Sequence, residues 1–326
     1  MCARARVATV CQAGRFYSSV EENRRYVMKL LDLALRQKPD IVCLPEAFTT
    51  VSVPKLLSEI AEPVPGPTTE MFAKKAKEHG CYIICPIKTK RDSKLWNSAV
   101  IIDRSGEILG IYDKVHPVTS SSDYTVFENG VTPSGEAPVF DLDFGRIGIQ
   151  ICFDICFPET WAELAEKGAK LVFWPSAYNG GFPLQVYAFL HHYYVVSSVR
   201  SDKSRIIDPC GRILAQTDWW VNVIYRDINL DYVVAHYDFN YSIPDKILKA
   251  YPRRVKVKSY TDDSLFLVEP IDDSITTKQL QEEFGFESAA QYFQRHREAY
   301  KRILEGKPPL PQKAAHGDRP QYAKTD

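Results

Sequence analysis

Apolar residues fall along this chain in short runs separated by amphipathic stretches. Residues 5 to 11 (ARVATVC) and 40 to 44 (DIVCL) read as strands. Between them Val20, Val27, Leu30, Leu31 and Ala34 recur at helical spacing, so 20–37 predicts a helix and the whole a strand–helix–strand unit. A second unit follows: a helical stretch from Thr68 to His79, Gly80 as its stop, and CYIICPIK as a strand buried on both faces. Trp96 to Ile102 then alternates, Asp103-Arg104-Ser105-Gly106 supplies a hairpin turn, and Ile108 to Tyr112 is its partner. That hairpin interrupts the βα rhythm.

Residues 113–138 form a polar passage with Pro, Ser and Gly, too long for a mere connection and therefore a candidate functional loop. Beyond it the pattern gives strands at Val139–Leu142 and Ile147–Cys152, a helix at Pro158–Lys167, a strand at Leu171–Trp174 and a helix at Gln185–Tyr193. Strands at 194–199 and 204–215 follow, the second broken by a turn at Asp208-Pro209-Cys210-Gly211. Two strand-rich halves with interleaved helices predict two packed sheets with helices outside. Residues 276–305 turn helical and charged, and a Pro-rich polar tail follows, expected to be mobile or ordered against a partner subunit. The expected division is a main domain over 1–275 and a C-terminal helix and tail over 276–326.

Composition narrows the function classes. The chain has 326 residues, 45% of them apolar, with 41 basic and 41 acidic side chains. This length buries a large core without disulfide or metal. Zero formal charge supplies no field to collect nucleic acid or anionic lipid, so neither partner is expected. No stretch reaches the length of a membrane span, and the N-terminus runs straight into a strand pattern, so a cytoplasmic protein is expected. The eight cysteines form no CxxC pair, so no metal site is expected; seven read as buried reduced thiols.

The eighth, Cys152, sits differently. In IGIQICFDICFPE, Ile147, Ile149 and Ile151 deliver Cys152 to a strand end, and Pro158 then opens a helix. A thiol there lies at the carboxyl edge of a sheet, where α/β folds bind ligands. In DIVCLPEAF an apolar strand ends at Glu46, a carboxylate placed to act as a base. In YDKVHP, Lys114 stands just past a strand and enters the long loop. Taken singly, each has a bland reading as core cysteine, loop carboxylate or solvated lysine.

Together, LPE, YxKVHP and ICFD, in that order and spacing, resemble the nitrilase (carbon–nitrogen hydrolase) superfamily. The likeness extends over residues 5–235, through LWNSAVIIDRSGEILGIYDK, FEN at 127–129, GAKLVFWPSA and SRIIDPCGRILA. It implies an α/β fold of four layers, an αββα sandwich of two mixed sheets with outer helices, here with a C-terminal helical extension. It also implies a homodimer or higher homo-oligomer, no cofactor, and a Glu–Lys–Cys triad. Position by position, the base falls on Glu46, the lysine on Lys114, the nucleophile on Cys152 and a supporting glutamate on Glu128; the backbone N–H of Phe153 would share the oxyanion with Lys114.

The expected reaction is thiol-dependent hydrolysis of a non-peptide C–N bond in a small linear amide or N-carbamoyl amine, through a thioester. Nitrile hydrolysis and a non-catalytic binding role on the same fold are the alternatives. Cys156 stands where many amidase-type members carry a basic or aromatic residue, and Phe153-Asp154 replaces the Trp-Glu of nitrilases, which favours amide or carbamoyl substrates. Tyr178, Asn179, Tyr124 and Phe127 are the expected substrate contacts. A Cys–His pairing with His116 is the weaker rival, because Pro117 constrains its loop. His191 and His192 read as packing residues.

Overall fold

The first elements are β1 (Arg4–Val10), α1 (Val20–Leu35) and β2 (Ile41–Cys43), then α2 (Leu57–Ile60), α3 (Pro67–His79), β3 (Tyr82–Arg91), β4 (Lys94–Ile102) and β5 (Ile108–Asp113). After a long loop come β6 (Val139–Leu142), β7 (Gly145–Ile149), α4 (Pro158–Glu166), β8 (Leu171–Ser176) and α5 (Pro183–His191). β9 (Tyr194–Val199), β10 (Arg205–Ile207), β11 (Ile213–Gln216) and β12 (Val223–Asn229) follow. This computed structural model describes residues 3–309, which separate into two compact units at Ile228/Asn229.

Local chemistry sets the helix limits. Ser19 accepts the Glu22 N–H at 3.2 Å and caps α1, whereas α3 opens on Pro67 and stops at Gly80 in the left-handed region (φ 60°). Val27, Leu30, Leu31, Ala34 and Leu35 of α1, with Phe72 and Ala76 of α3, bury against Ala8, Val10, Ile83, Cys85 and Val100. Each large side chain so buried contributes roughly 1.5–3 kcal/mol of transfer free energy.

The first sheet runs β12-β1-β2-β3-β4-β5 and the second β11-β10-β9-β8-β7-β6. In each, three strands are parallel: β1, β2 and β3, and β7, β8 and β9. Antiparallel strands flank them, so both sheets are mixed. The sheets stack through polar as well as apolar contacts. Thr9 Oγ1 donates to the Ser197 carbonyl at 2.7 Å, and the Ser198 and Ser204 hydroxyls both reach the Val10 carbonyl at 2.9 Å. With helices outside, this is the αββα sandwich.

The second unit contains β13 (Val233–His236), α6 (Ile243–Ala250), β14 (Val255–Tyr260), β15 (Leu265–Pro270), α7 (Thr277–Phe284) and α8 (Ala289–Leu304). Its antiparallel sheet runs β13-β15-β14, and Ile243, Ile247, Phe266, Val268, Leu280 and Phe286 form its core. Thr276 caps α7 and Ser288 caps α8. From residue 310 the expected Pro-rich tail lies outside the described residues, as does Cys2. Among the described residues, no helix is long and apolar enough to cross a membrane.

Candidate active site

The parallel strands of both sheets end on one cleft. Beyond β2 the chain delivers Glu46, beyond β7 Cys152, beyond β8 Ala177 and beyond β9 Arg200; all four line a cavity of about 400 Å³. Lys88 of β3, Lys114 just past β5, and Glu128 and Asn129 of the long loop complete the polar wall. Val51, Val53, Leu57 and Ile60 supply the apolar one.

Cys152 opens a 3-10 turn rather than closing a strand: β7 stops at Ile149 and the turn spans Cys152–Cys156. Its φ of +49° is the left-handed region, an unfavourable conformation for a residue with a Cβ. Surrounding hydrogen bonds hold it there. Trp174 Nε1 donates to the Cys152 carbonyl at 3.0 Å, Trp161 Nε1 to that of Asp154 at 3.0 Å, and Tyr187 OH to that of Ile155 at 2.7 Å. Fully buried Asp154 ties this turn of the second sheet to the β5 loop of the first. Its Oδ2 accepts from Ile151 N (2.8 Å) and Tyr112 OH (2.7 Å), its Oδ1 from His116 N (2.8 Å), and His116 Nδ1 lies 2.9 Å from Oδ1.

Glu46 and Lys114 are 3% and 1% exposed, so their charges persist only because they are paired. Lys114 Nζ donates to Glu46 Oε1 at 3.1 Å and to Glu128 Oε1 at 2.6 Å. Asn97 Nδ2 bridges the same two carboxylates, at 2.8 Å to Glu46 and 2.9 Å to Glu128. Lys88 Nζ bonds Glu128 Oε2, and Arg200 Nη2 stands 3.6 Å from Glu46 Oε2.

Burial alone would raise the Glu46 pKa, but the charges of Lys114, Arg200 and Lys88 outweigh it and hold the carboxyl at about 2. Burial pushes the Cys152 thiol up to about 12, the Glu46 charge adds to this, and Lys114, Ser176 and the Ala177 N–H pull the other way. Burial opposes the Lys114 charge, yet Glu46 and Glu128 raise its pKa overall. Lys88 is lowered, burial exceeding the help from Glu128. The resting arrangement is a neutral thiol beside an ionised carboxylate and ammonium.

Cys152, Glu46, Lys114 and Glu128 thus share one cleft. Phe153 follows in the same turn, its ring edge-on to Phe157 at 5.6 Å. The expected substrate contacts lie elsewhere. Tyr124 is 71% exposed in the long loop, and Phe127 contributes its backbone carbonyl to a turn at Gly130 and Val131. Asn179 bonds Asp202 and the Gly181 N–H. Tyr178 packs edge-on against Trp174, close enough to the charges of Cys152, Lys114 and Glu46 to register them, without lining the cavity. His116 is engaged by Asp154 and stacked on Phe157. His191 is half-buried at the end of α5, and His192 Nδ1 lies 3.2 Å from the Pro209 carbonyl.

Sequence reasoning missed Lys88, Asn97 and Arg200. A lysine closing the apolar run CYIICPIK and an arginine just past the apolar strand YVVSSV carry the same signal that singled out Glu46. Cys156 also departs from expectation: it is exposed, because it ends the turn and faces away from the core. Among the described residues, no group of three or more His, Cys, Asp or Glu is arranged to hold a metal ion.

Residues 7–237 match the carbon–nitrogen hydrolase family, and the chain belongs to that family, within the nitrilase superfamily. It is a hydrolase by that membership. The omega-amidase NIT2 of Xenopus tropicalis is 30% identical over 234 residues, covering 65% of this chain and 84% of that protein. The human omega-amidase NIT2 is 29% identical over 218 residues, covering 60% of this chain and 79% of that one. Among solved structures, the C. elegans NitFhit protein aligns with a TM-score of 0.62 at 24% identity, over 76% of this chain; the chain spans 64% of that protein. Nit3 of Saccharomyces cerevisiae gives 0.61 at 20%, over 77% and 95% of the two chains.

Proposed function

We propose that this chain hydrolyses the C–N bond of a small linear amide or N-carbamoyl amine, using Cys152 as nucleophile, Glu46 as general base and Lys114 as oxyanion partner. The observation that carries the reading is the convergence on one cleft of a buried thiol, a buried carboxylate and a buried ammonium that bonds the carboxylate directly. The similarity to omega-amidases supports an amide over a nitrile.

Glu46 accepts the thiol proton as sulfur attacks the carbonyl carbon, and the C=O electron pair moves to oxygen. Lys114 and the Phe153 N–H stabilise that oxygen. Because the thiol is the weaker acid by a wide margin at rest, this proton moves in concert with C–S bond formation rather than before it. The nitrogen leaves with the proton from Glu46 and a thioester remains. Water then gives a proton to Glu46 and attacks; the thiolate leaves and is reprotonated, so amide and water become acid and amine or ammonia. Glu128, bonded to both lysines, keeps Lys114 charged and oriented. A homodimer belongs to the same proposal, and light scattering on the purified chain measures it.

The test is a panel of short amides, N-carbamoyl amines and nitriles with ammonia release as readout, run on wild type and Cys152→Ala. Turnover of amides or carbamoyl compounds, abolished in the variant with its melting curve retained, is the expected result. Turnover of nitriles alone, or activity surviving in Cys152→Ala, overturns it.

A further inference from the structure

Asn97 is an uncharged side chain inside the charge cluster, fully buried on β4. The sheet puts it there: in the antiparallel register of β3 and β4 it stands directly opposite Lys88, so the two side chains leave the same face, and its carbonyl accepts the Lys114 N–H at 2.9 Å. That last bond belongs to the backbone, and any residue at 97 could make it. The side chain has a different task. Its Nδ2 donates to Glu46 Oε1 at 2.8 Å and to Glu128 Oε2 at 2.9 Å, while Oδ1 is buried without a partner among the described residues. A buried amide oxygen left unpaired costs free energy, and turning the amide over would only set that oxygen against two carboxylates. Ser98, on the opposite face, shows the ordinary case: its hydroxyl meets Thr89 at 2.7 Å and Asp113 at 2.6 Å and stitches the sheet.

The two carboxylates that Asn97 joins repel each other. Burial and the Glu46 charge both work against ionised Glu128, and the two lysines work for it. For Glu46, burial is again the main opposing cause, and the Asn97 bond stands with Lys114, Arg200 and Lys88 in overcoming it. Glu46 Oε1 thus has two donors, Asn97 and Lys114 (3.1 Å), whereas the nearest cation to Oε2 among the described residues, Arg200, is 3.6 Å away and outside hydrogen-bond range.

We propose that Asn97 is a positioning residue for the hydrolysis: its donors hold Glu46 and Glu128 ionised side by side and keep Glu46 Oε1 occupied, so that Oε2 is the oxygen that takes the thiol proton. This deepens the hydrolytic reading above and rests on it. The groups that face Glu46 and set its titration are Lys88 from β3, Lys114 beyond β5, Glu128 from the long loop, Cys152 from the 3-10 turn, Tyr178 beyond β8 and Arg200 beyond β9. Asn97 adds two donors to this set without adding a charge.

Asn97→Leu keeps the bulk of the side chain and removes both donors. At neutral pH kcat should fall roughly 10- to 100-fold with KM within about twofold, because the carboxylate is displaced and the substrate contacts are not. The sharper readout is pH. Glu46 acts when ionised, so activity is lost as pH falls through its pKa; a hydrogen bond to the charged form is worth about 1 to 2 pH units, and the acid limb of kcat/KM moves up by that amount. Carbon-13 NMR of carboxyl-labelled glutamate, with the Glu46 signal identified by its loss in Glu46→Gln, should show the same rise in midpoint. An asparagine that only filled space would, when replaced, lower the rate by one factor at every pH and leave the midpoint unmoved, and that result overturns the proposal. If Asn97→Leu does not fold, Asn97→Ala carries the same two measurements. A midpoint that rises in a protein whose wild type hydrolyses no amide upholds the hold of Asn97 on Glu46 and sinks the hydrolytic reading; amide turnover with limb and midpoint both unmoved does the reverse.

Discussion

The electrostatics of the cleft make an unusual demand on Glu46→Gln: it should depress turnover and raise the reactivity of the nucleophile. In the proposed mechanism this carboxylate is the general base, a role worth about 10²- to 10⁴-fold in rate, so kcat should fall by that range. Its charge also disfavours the thiolate, ranking second only to burial in pushing the thiol to about 12. A nearby charge is worth about 1–3 pKa units when it is opposite in sign, and a like charge acts in the other direction on the same order. Replacing it with a neutral amide leaves Lys114 and the Ala177 N–H to favour sulfur's negative charge. A fall of roughly 1–2 units multiplies the thiolate fraction at fixed pH by about 10 to 100, and lost nucleophilicity at a Brønsted slope near 0.5 returns about half of that gain on a logarithmic scale. Alkylation of Cys152 by iodoacetamide should therefore speed up by roughly 3- to 10-fold. The assay is intact-mass spectrometry over time at mildly alkaline pH, in a Cys156→Ser background because that exposed thiol would otherwise contribute the first adduct. Alkylation that slows in step with turnover would refute the reasoning, since it would mean that Glu46 promotes the thiolate at rest.

Two further predictions follow from the same network. Glu46, near 2 in the fold against an ordinary value of 4.5, gives stability that is full above about pH 4.5 and lost as pH falls toward 2, on the order of 3 kcal/mol; urea midpoints across this window should drop in wild type and drop less in Glu46→Gln, and equal slopes would contradict the assignment. Asp154→Asn puts an NH2 group where two donors converge on one carboxylate oxygen, so about two bonds are lost, at roughly 3 kcal/mol, and the melting temperature falls on the order of 10 °C; a melting curve within experimental error of wild type would show that the nucleophile turn does not depend on this tie.

The parts legible in the sequence share one physical signature: a charged or nucleophilic residue at the carboxyl end of an apolar run. Glu46, Lys114 and Cys152 carry it, and the fold brings all three to one cavity. Lys88 and Arg200 carry it too, though reading 88 and 200 as ordinary strand-end residues hides them. Glu128 emerges only through family resemblance, because it lies in an irregular loop at φ +40°, where no periodicity marks which residues turn inward. The aromatic residues near the site in sequence illustrate the same limit. Tyr124 adopts φ +60° and faces solvent, while much of the cavity wall comes from 47–60, a stretch whose only helix is the four-residue α2. In the second unit, VVAH, VKVKSY and LFLVEP pair as β13, β14 and β15; the alternation is present, but no turn signal as strong as DRSG marks where one strand ends and the next begins.

Burial and pairing together decide how such a site stores its charge. Two lysines and two carboxylates hydrogen-bonded around Asn97 form a set in which no member bears an uncompensated charge, so the cluster survives desolvation. The thiol remains outside that set as a neutral group. Negative charge placed on sulfur at rest would face Glu46 across the cleft, whereas the same charge on the oxygen of a tetrahedral adduct can lie against Lys114 while Glu46, newly protonated, no longer repels it. Under the proposed mechanism, therefore, the arrangement disfavours the ion pair of the free enzyme and favours the charge distribution of the adduct, which is the differential binding that accelerates a reaction.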